Sequence, residues 1–120
     1  MKKILVINDD EDIRDIMRLI LDNEEYEVNE VANGHEVNSA ISTTRPDVIL
    51  LDVLLGDADG RDICRELKND EATADIPVII VSATHANQAM YEKGCRADDY
   101  ISKPFDIDDL IKKVSYYAAA

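Results

Sequence analysis

Four apolar runs of the sequence are each followed closely by polar residues that could bind a cation or a phosphoryl group. Carboxylates crowded at one place repel each other, which raises their pKa values and destabilises a fold unless cations offset the repulsion. A lysine and a divalent metal would provide that offset. Mg²⁺ suits such a site because it prefers hard oxygen ligands and usually keeps waters beside one or two carboxylates. The residues that follow the four runs are Asn8-Asp9-Asp10, Asp52, Ser82 and Lys103.

The apolar runs alternate along the chain with patterns typical of amphipathic helices. Continuous apolar runs predict strands that are covered on both faces. Between the first two strands, apolar residues recur at helical spacing from Ile13 to Leu21, and the last helix repeats this pattern from Ile107 to Val114. The fourth helix is loosely patterned and is expected to end near Gly94. The five predicted strands cover residues 4–7, 26–31, 47–52, 76–81 and 100–101.

Five strands alternating with five helices predict an α/β fold, with one parallel sheet and helices on both faces. Right-handed crossovers leave few ways to wind such a chain, and the flavodoxin-like, doubly wound order 2-1-3-4-5 is a common one. In that order, strands one and three flank the point where ligands bind, beyond the carboxyl ends of the strands. Loops are generally polar, which would explain any one polar strand end. Four polar strand ends together favour a binding site for a cation or a phosphoryl group.

Length and composition indicate one acidic domain. The 120 residues include 26 acidic and 13 basic side chains, which give a net charge of −13. This charge excludes nucleic-acid binding by the segment, because phosphate backbones require clustered Lys and Arg. No apolar stretch is long enough for a signal peptide or a membrane span, and Cys64 and Cys95 are read as free thiols. We expect a soluble, cytoplasmic domain at residues 1–117, with 118–120 as a tail, native or added in cloning.

Two segments carry a specific signature. The first runs Pro46-Asp-Val-Ile-Leu-Leu-Asp52 and is followed by Asp59-Gly60. The second runs Asp98-Asp-Tyr-Ile-Ser-Lys-Pro-Phe105. Through these segments, and through residues 4–12 and 76–83, the chain resembles the response-regulator receiver family of two-component signalling over essentially its whole length.

The resemblance implies a role for each residue that matches the family's motifs. Asp52 would be the phosphoacceptor, a carboxylate nucleophile that attacks phosphorus and holds the signal as an acyl phosphate. Asp9 would bind Mg²⁺ together with the Asp52 carboxylate and the backbone carbonyl of Leu54. Lys103 would bond the phosphoryl oxygens. The Lys103–Pro104 peptide bond would be cis, a geometry essentially restricted to proline.

The resemblance also implies a phosphorylation-controlled binding switch. The donor would be a histidine kinase or a histidine phosphotransfer protein, since the chain has no nucleotide-binding glycine motif. Phosphorylation would draw the Ser82 hydroxyl toward Asp52, and Tyr100 would rotate into the vacated space. The face formed by the fourth helix, fifth strand and fifth helix would then change and control an unidentified partner or output domain. A homodimer through this face is compatible with the sequence. Such a chain is no enzyme beyond its own phosphorylation and dephosphorylation.

Asn8 departs from the family's pattern of two acidic residues directly after the first strand. Counting four apolar residues from Ile4 places Asn8 and Asp9 at these positions. Asn8 keeps an oxygen acceptor but lacks a charge, so we expect weaker Mg²⁺ binding than in a typical receiver. The competing register, in which Asp9 and Asp10 form the pair, stays open.

Three other classes of protein share some of these sequence features. A phosphatase of the haloacid dehalogenase type also uses an aspartate at a strand end, but it needs a second aspartate where this sequence has Leu54. A flavodoxin-like flavin binder needs a phosphate loop rich in Ser, Thr and Gly, whereas residues 8–12 read NDDED. A receiver that binds partners without being phosphorylated stays open because of Asn8.

Overall fold

The five predicted strands form one parallel sheet in the computed structural model of the protein, which describes residues 1–82 and 95–119. The strands of this sheet are β1 (Lys3–Ile7), β2 (Glu27–Val31), β3 (Val48–Asp52), β6 (Val78–Ser82) and β7 (Asp99–Ser102). They are ordered β2-β1-β3-β6-β7. This arrangement is the predicted order 2-1-3-4-5, because two short strands outside the sheet take the numbers in between. The predicted fold class is therefore confirmed.

Alternate residues of the central strands enter two separate hydrophobic layers. In β1, Leu5 and Ile7 point into one layer, and Ile4 and Val6 point into the other. Side chains alternate across a strand, so a strand that is apolar at every position is buried on both faces. This requirement explains why the runs are continuous and do not alternate with polar residues.

The described helices cover both layers. They are α1 (Glu11–Asn23), α2 (Val37–Thr44), α3 (Gly60–Asn69) and a C-terminal helix (Ile107–Ala118). Helices α2 and α3 contribute to the layer of Leu5, which we call the α3 layer, while α1 and the C-terminal helix contribute to the layer of Ile4. The C-terminal helix includes Ala118, which is buried. The predicted fourth helix lies outside the described residues.

Aspartates cap three of these helices at their amino ends. The Asp10, Asp59 and Asp106 side chains accept hydrogen bonds from backbone N–H groups in the first turns of α1, α3 and the C-terminal helix. These N–H groups have no partner within the helix, and the partial positive charge of a helix amino end favours a carboxylate there. Three of the acidic residues thus stabilise the amino ends of helices.

A short antiparallel hairpin follows β3, in the segment between the third predicted strand and the next helix. Its strands, β4 (Leu54–Leu55) and β5 (Ala58–Asp59), have two residues each. Two residues are too few to show any periodicity, so this pairing could not be predicted from the pattern. Elsewhere the strand boundaries differ from the predicted ones by one or two residues. Within the described ranges, no helix is long and apolar enough to cross a membrane.

Candidate functional site

The register of the sheet brings the ends of four strands to one edge. Ile7 pairs with Leu51 between β1 and β3, and Asp52 pairs with Val81 between β3 and β6. Ser82 pairs with Ser102 between β6 and β7. Because all four strands are parallel, the next residues of each chain segment emerge on the same side. The edge therefore collects Asn8, Asp9, Asp52, Ser82 and Lys103.

Asp52 and Lys103 form an ion pair at this edge. Asp52 is the last residue of β3 and is 7% exposed, and the Lys103 Nζ atom lies 3.3 Å from its Oδ2 atom. Among the described residues, this ion pair is the one polar contact of the Asp52 carboxylate. A buried carboxylate ordinarily accepts several hydrogen bonds. The Asp52 side chain thus keeps most of its capacity to accept bonds or bind a cation.

The backbone of Lys103 is fixed beside the end of β6. Its N–H group donates to the carbonyl oxygen of Ser82 at 2.9 Å, which extends the ladder between β6 and β7. The Lys103–Pro104 peptide bond is cis, as the resemblance implies. Ser82 itself is buried at 3% exposure. A backbone hydrogen bond therefore joins the residue that carries the ammonium, Lys103, to the residue that carries the hydroxyl, Ser82.

The three polar residues after β1 have different surroundings. Asn8 is buried, and its Oδ1 atom accepts a hydrogen bond from the N–H of Asp10 at 2.9 Å. Its carbonyl oxygen accepts a bond from Arg14 Nη1 at 2.6 Å. Asp10 is exposed and its Oδ1 atom caps α1. Asp9 is also exposed, and its Oδ2 atom lies 3.9 Å from the place that a Cβ atom on Gly56 would occupy. Asp9 is thus beside the loop that follows Asp52.

The donor set at this edge fits Mg²⁺. It comprises the carboxylates of Asp9 and Asp52, and the loop backbone near Leu54, whose side chain is exposed. In the part of the chain that the structure describes, no three His, Cys, Asp or Glu side chains gather as a metal site. Mg²⁺ does not require such a cluster, because it binds one or two carboxylates and keeps waters. The fit rests on hard oxygen donors at a rim open to water.

Comparisons with known proteins agree with this arrangement. The family model described as response regulator receiver domain matches residues 4–115. The chain belongs to this family. It is 36% identical over 117 residues to the DNA-binding dual master transcriptional regulator RpaA of Synechocystis, which covers 95% of this chain and 48% of that protein. It is also 36% identical over 118 residues to the response regulator ArlR of Staphylococcus saprophyticus, covering 95% and 51%. The chain spans about half the length of the curated relatives it matches.

Solved receiver domains have the same fold. The signal receiver domain of a signal transduction histidine kinase from Syntrophus aciditrophicus superposes with a TM-score of 0.90 at 31% identity, covering 99% of this chain and 91% of that one. The receiver domain of the Francisella response regulator 1452 gives a TM-score of 0.88 at 29% identity, covering 99% and 98%. Receiver domains with this fold thus occur both in histidine kinases and in response regulators.

Gly60 supports the site of this receiver domain from behind, a role that the sequence reasoning did not assign. A Cβ atom on Gly60 would lie 1.9 Å from the backbone oxygen of Asp52. The Gly60 N–H group donates to the carbonyl oxygen of Val53 at 2.7 Å. Only glycine allows the start of α3 to approach β3 so closely. The signal was present in the Asp59-Gly60 pair of the signature, but its physical reason is a contact between α3 and β3 that the sequence pattern does not show.

Tyr100 contacts the C-terminal helix through Lys113. The Lys113 Nζ atom donates to the carbonyl oxygen of Tyr100 at 2.9 Å and lies 5.8 Å from the centre of its ring. It also forms ion pairs with Asp99 at 3.8 Å and Asp109 at 3.4 Å. The Tyr100 ring is partly buried and packs against the α3 layer. The predicted switch aromatic thus lies on β7, with its ring on the α3 layer and within reach of Lys113 on the C-terminal helix.

A second acidic group connects the hairpin to the loop after β2. The Asp57 carboxylate accepts hydrogen bonds from the N–H groups of Gly34 at 2.8 Å and His35 at 3.2 Å, and it contacts His35 Nδ1 at 3.0 Å. The bond from Gly34, followed by that from the His35 ring, holds the pKa of Asp57 below its ordinary value. Asp57 is therefore used to hold two loops together.

Proposed function

We propose that Asp52 accepts a phosphoryl group from a histidine kinase or a histidine phosphotransfer protein and that this phosphorylation controls a partner or output domain. The observation that carries the proposal is the buried Asp52 carboxylate, whose one described polar contact is the Lys103 ammonium at 3.3 Å. A carboxylate without competing hydrogen bonds can act as a nucleophile. The Lys103 ammonium lies beside the carboxylate to which the negatively charged phosphoryl group would be added.

The transfer would move phosphorus from a donor nitrogen to an oxygen of Asp52. The P–N bond of a phosphohistidine breaks as the P–O bond to the carboxylate forms, with the two atoms in line. Lys103 would neutralise charge on the phosphoryl oxygens, and pre-placed cations of this kind lower the barrier without reorganisation. When bound by Asp9, Asp52 and the Leu54 carbonyl, Mg²⁺ would supply the remaining positive charge.

A conformational switch would follow from the new charge at Asp52. Ser82 directly follows the residue that pairs with Asp52, and its hydroxyl would bond a phosphoryl oxygen. Tyr100 lies on the neighbouring strand, and Lys113 connects its backbone to the C-terminal helix. A movement of Ser82 would let Tyr100 rotate inward and change the face of β7 and the C-terminal helix. The phosphoryl group can shift this equilibrium only by its differential affinity for the two states.

The partners are proposed from the relatives. RpaA is described as a DNA-binding regulator and is about twice as long as this chain, so a DNA-binding output is one candidate. DNA binding would then belong to the output and not to this segment, whose charge is −13.

We place the domain in the cytoplasm, since both of its buried cysteines are free thiols. It would have no turnover beyond its own phosphorylation and dephosphorylation. A homodimer through the face of β7 and the C-terminal helix would be tested by sedimentation with and without the phosphodonor.

Treatment with phosphoramidate, followed by intact mass spectrometry, tests the proposal. We expect one phosphoryl group per chain, at Asp52, in a reaction that requires Mg²⁺. Asp52→Asn should abolish it. Asp57→Asn is the matched control, because it removes a nearby exposed carboxylate and should leave the reaction intact. A chain that remains unmodified at Asp52 with Mg²⁺ present would instead identify a receiver that works without phosphorylation.

A further inference from the structure

Arg14, on α1, is hydrogen-bonded to both residues that flank Asp9. Its Nη1 atom donates to the carbonyl oxygen of Asn8 at 2.6 Å, and its backbone N–H group donates to the carbonyl oxygen of Asp10 at 3.1 Å. Asn8 is buried, so its carbonyl group needs a partner within the protein. One arginine thus holds the backbone on both sides of the exposed Asp9 carboxylate.

The end of β2 holds both this arginine and Asn8. The Glu30 Oε1 atom lies 3.4 Å from Arg14 Nε, and the carbonyl oxygen of the next residue, Val31, accepts a hydrogen bond from the N–H group of Asn8 at 3.0 Å. The Arg14 side chain is only 15% exposed, so little water competes for its guanidinium. A planar guanidinium that spans two acceptors has a fixed orientation. Residues 8–10 are therefore supported by β2 and by α1.

We propose that Arg14 is a positioning residue for Mg²⁺, and that it acts by holding Asp9 at the acidic edge. The inference rests on the proposed function, in which Asp9 is a ligand of the cation. Metal ligands are generally oriented by hydrogen-bonded neighbours, and the loss of these neighbours weakens metal binding. Asp9 is exposed, so packing around its own side chain does not fix its position. The hydrogen bonds of Arg14 to the residues on either side provide that support.

The charge of Arg14 and its hydrogen bonds predict opposite effects on Mg²⁺ binding. A cation beside the acidic edge repels Mg²⁺, so by charge alone the removal of Arg14 would raise the affinity. The same removal leaves the buried carbonyl group of Asn8 without its partner and lets residues 8–10 move, so by position the affinity would fall. The sign of the change in affinity therefore distinguishes the two effects.

Arg18 offers a matched control on the same helix. Its Nε atom lies 2.6 Å from Glu30 Oε2, and its Nη2 atom donates to the carbonyl oxygen of Val28 at 3.2 Å. Arg18 therefore resembles Arg14 in having an ion pair with Glu30 and a hydrogen bond to a backbone carbonyl. That carbonyl belongs to β2, whereas the carbonyl that Arg14 Nη1 bonds belongs to Asn8. Arg14→Gln and Arg18→Gln thus remove the same charge and the same kinds of contact.

Calorimetric titration of the whole chain with Mg²⁺ tests the inference. Arg14→Gln should weaken Mg²⁺ binding by about tenfold, because a group that supports a metal ligand is lost. Arg18→Gln should stay within about twofold of the parent, because its charge is more exposed and is screened by salt. Equal losses in the two variants would overturn the proposal, as would an affinity of Arg14→Gln at or above that of the parent. A parent chain that binds no Mg²⁺ would also overturn it.

Arg14→Lys is a second variant, which decides the proposal if circular dichroism shows that Arg14→Gln is unfolded. It keeps the positive charge but lacks the planar fork that spans Asn8 and Glu30, so its affinity for Mg²⁺ should fall by about threefold or more. The affinity of the parent in this variant would contradict the proposal.

The role of Arg14 and the proposed function can fail separately, because Mg²⁺ binding does not require phosphorylation. A parent chain that binds Mg²⁺ but stays unmodified by phosphoramidate would contradict only the proposed function. A parent chain that is phosphorylated, together with an Arg14→Gln variant that binds Mg²⁺ as tightly as the parent, would contradict only the role of Arg14.

Discussion

Two lysine–aspartate pairs lie at opposite edges of the sheet, and they differ in how fully the carboxylate is used. At the amino-terminal edge, Lys68 Nζ lies 2.6 Å from Asp98 Oδ2. Lys68 also donates to the carbonyl oxygens of Ala74 at 3.2 Å and Ile76 at 2.9 Å, and Asp98 accepts a bond from the N–H of Val78 at 2.8 Å. This pair joins the end of α3 to the starts of β6 and β7, and its groups are satisfied.

At the carboxyl-terminal edge, the carboxylate of the Lys103–Asp52 pair has fewer polar contacts. Lys103 lies 3.3 Å from Asp52, and the carboxylate has no other polar contact among the described residues. Asp52 is nevertheless far more buried than Asp98, whose side chain is 35% exposed. A fold that needed Asp52 only for stability would satisfy it as it satisfies Asp98. The contrast separates a structural pair from one that keeps its bonding capacity for another group.

The sharpest way to break this comparison is to remove the charge from each lysine in turn. Lys103→Gln should slow phosphorylation of Asp52 by about 100-fold or more, because a pre-placed charge on the transferred group is lost. It should also lower the free energy of unfolding by about 3 kcal/mol, because it leaves the buried Asp52 carboxylate without its cation. Lys68→Gln should leave phosphorylation near the parent rate and lower the free energy of unfolding by about 2 kcal/mol, because Asp98 and two carbonyls lose a partner. Phosphoramidate kinetics and urea unfolding of both variants measure the two effects. Similar profiles for the two variants would remove the distinction.

Substitution of Gly60 tests whether the position of the Asp52 backbone matters to the Lys103–Asp52 pair. In Gly60→Ala the new methyl group meets the Asp52 carbonyl oxygen, so α3 or β3 must shift. We expect destabilisation of about 2 kcal/mol and slower phosphorylation. Gly56→Ala is the matched control, because its Cβ would meet its nearest described neighbour at 3.9 Å. That variant should stay within about 0.5 kcal/mol of the parent. Equal losses in the two variants would show that loop flexibility, and not the close approach, is what matters.

Asn8→Asp sharpens the comparison by adding a carboxylate beside Asp52. The change should raise the affinity for Mg²⁺ by about tenfold, because a third carboxylate at this edge attracts the cation in a partly buried site. Without Mg²⁺ the variant should be less stable than the parent, since position 8 is buried and the new charge repels Asp52. Calorimetric titration with Mg²⁺ and thermal unfolding in chelator measure these changes. Equal affinity in the two proteins would exclude Asn8 as the cause of weak binding.

The smallest expected effect concerns Asp57, an exposed carboxylate that is satisfied as Asp98 is. The pKa of folded Asp57 is lowered, mainly by the bond from Gly34. The stability that this carboxylate contributes is therefore fully present above the pKa of the unfolded chain and is lost as the pH falls through the lower, folded pKa. The Gly34 amide shift, followed by NMR through the acid range, should titrate below an ordinary aspartate. In Asp57→Asn this titration should disappear. A titration at or above the ordinary value would contradict the assignment.

The sequence predicted the sheet and the strand ends well, because both depend on local patterns and a strict topology. Continuous apolar runs identify buried strands, and parallel order then places Asp52 and Lys103 at one edge. The roles of Asp98 and Gly60 could not be predicted in the same way. Asp98 lies in the same signature as the predicted site residues Tyr100 and Lys103, and only its bonds to Lys68 and Val78 show that it is structural. Gly60 depends on a close approach between α3 and β3, which no pattern within one segment encodes.

The close approach of Gly60 also gives direction to any movement that starts at Asp52. The Asp52 carbonyl oxygen has no free space on the side of α3, since even a methyl group at Gly60 would overlap it. If a phosphoryl group is added to the Asp52 side chain, as we propose, the main chain has no room to move toward α3. We would then expect the displacement to follow the sheet, where the neighbouring strands carry Ser82 and Lys103. The contact with α3 would thus limit the directions in which Asp52 can move.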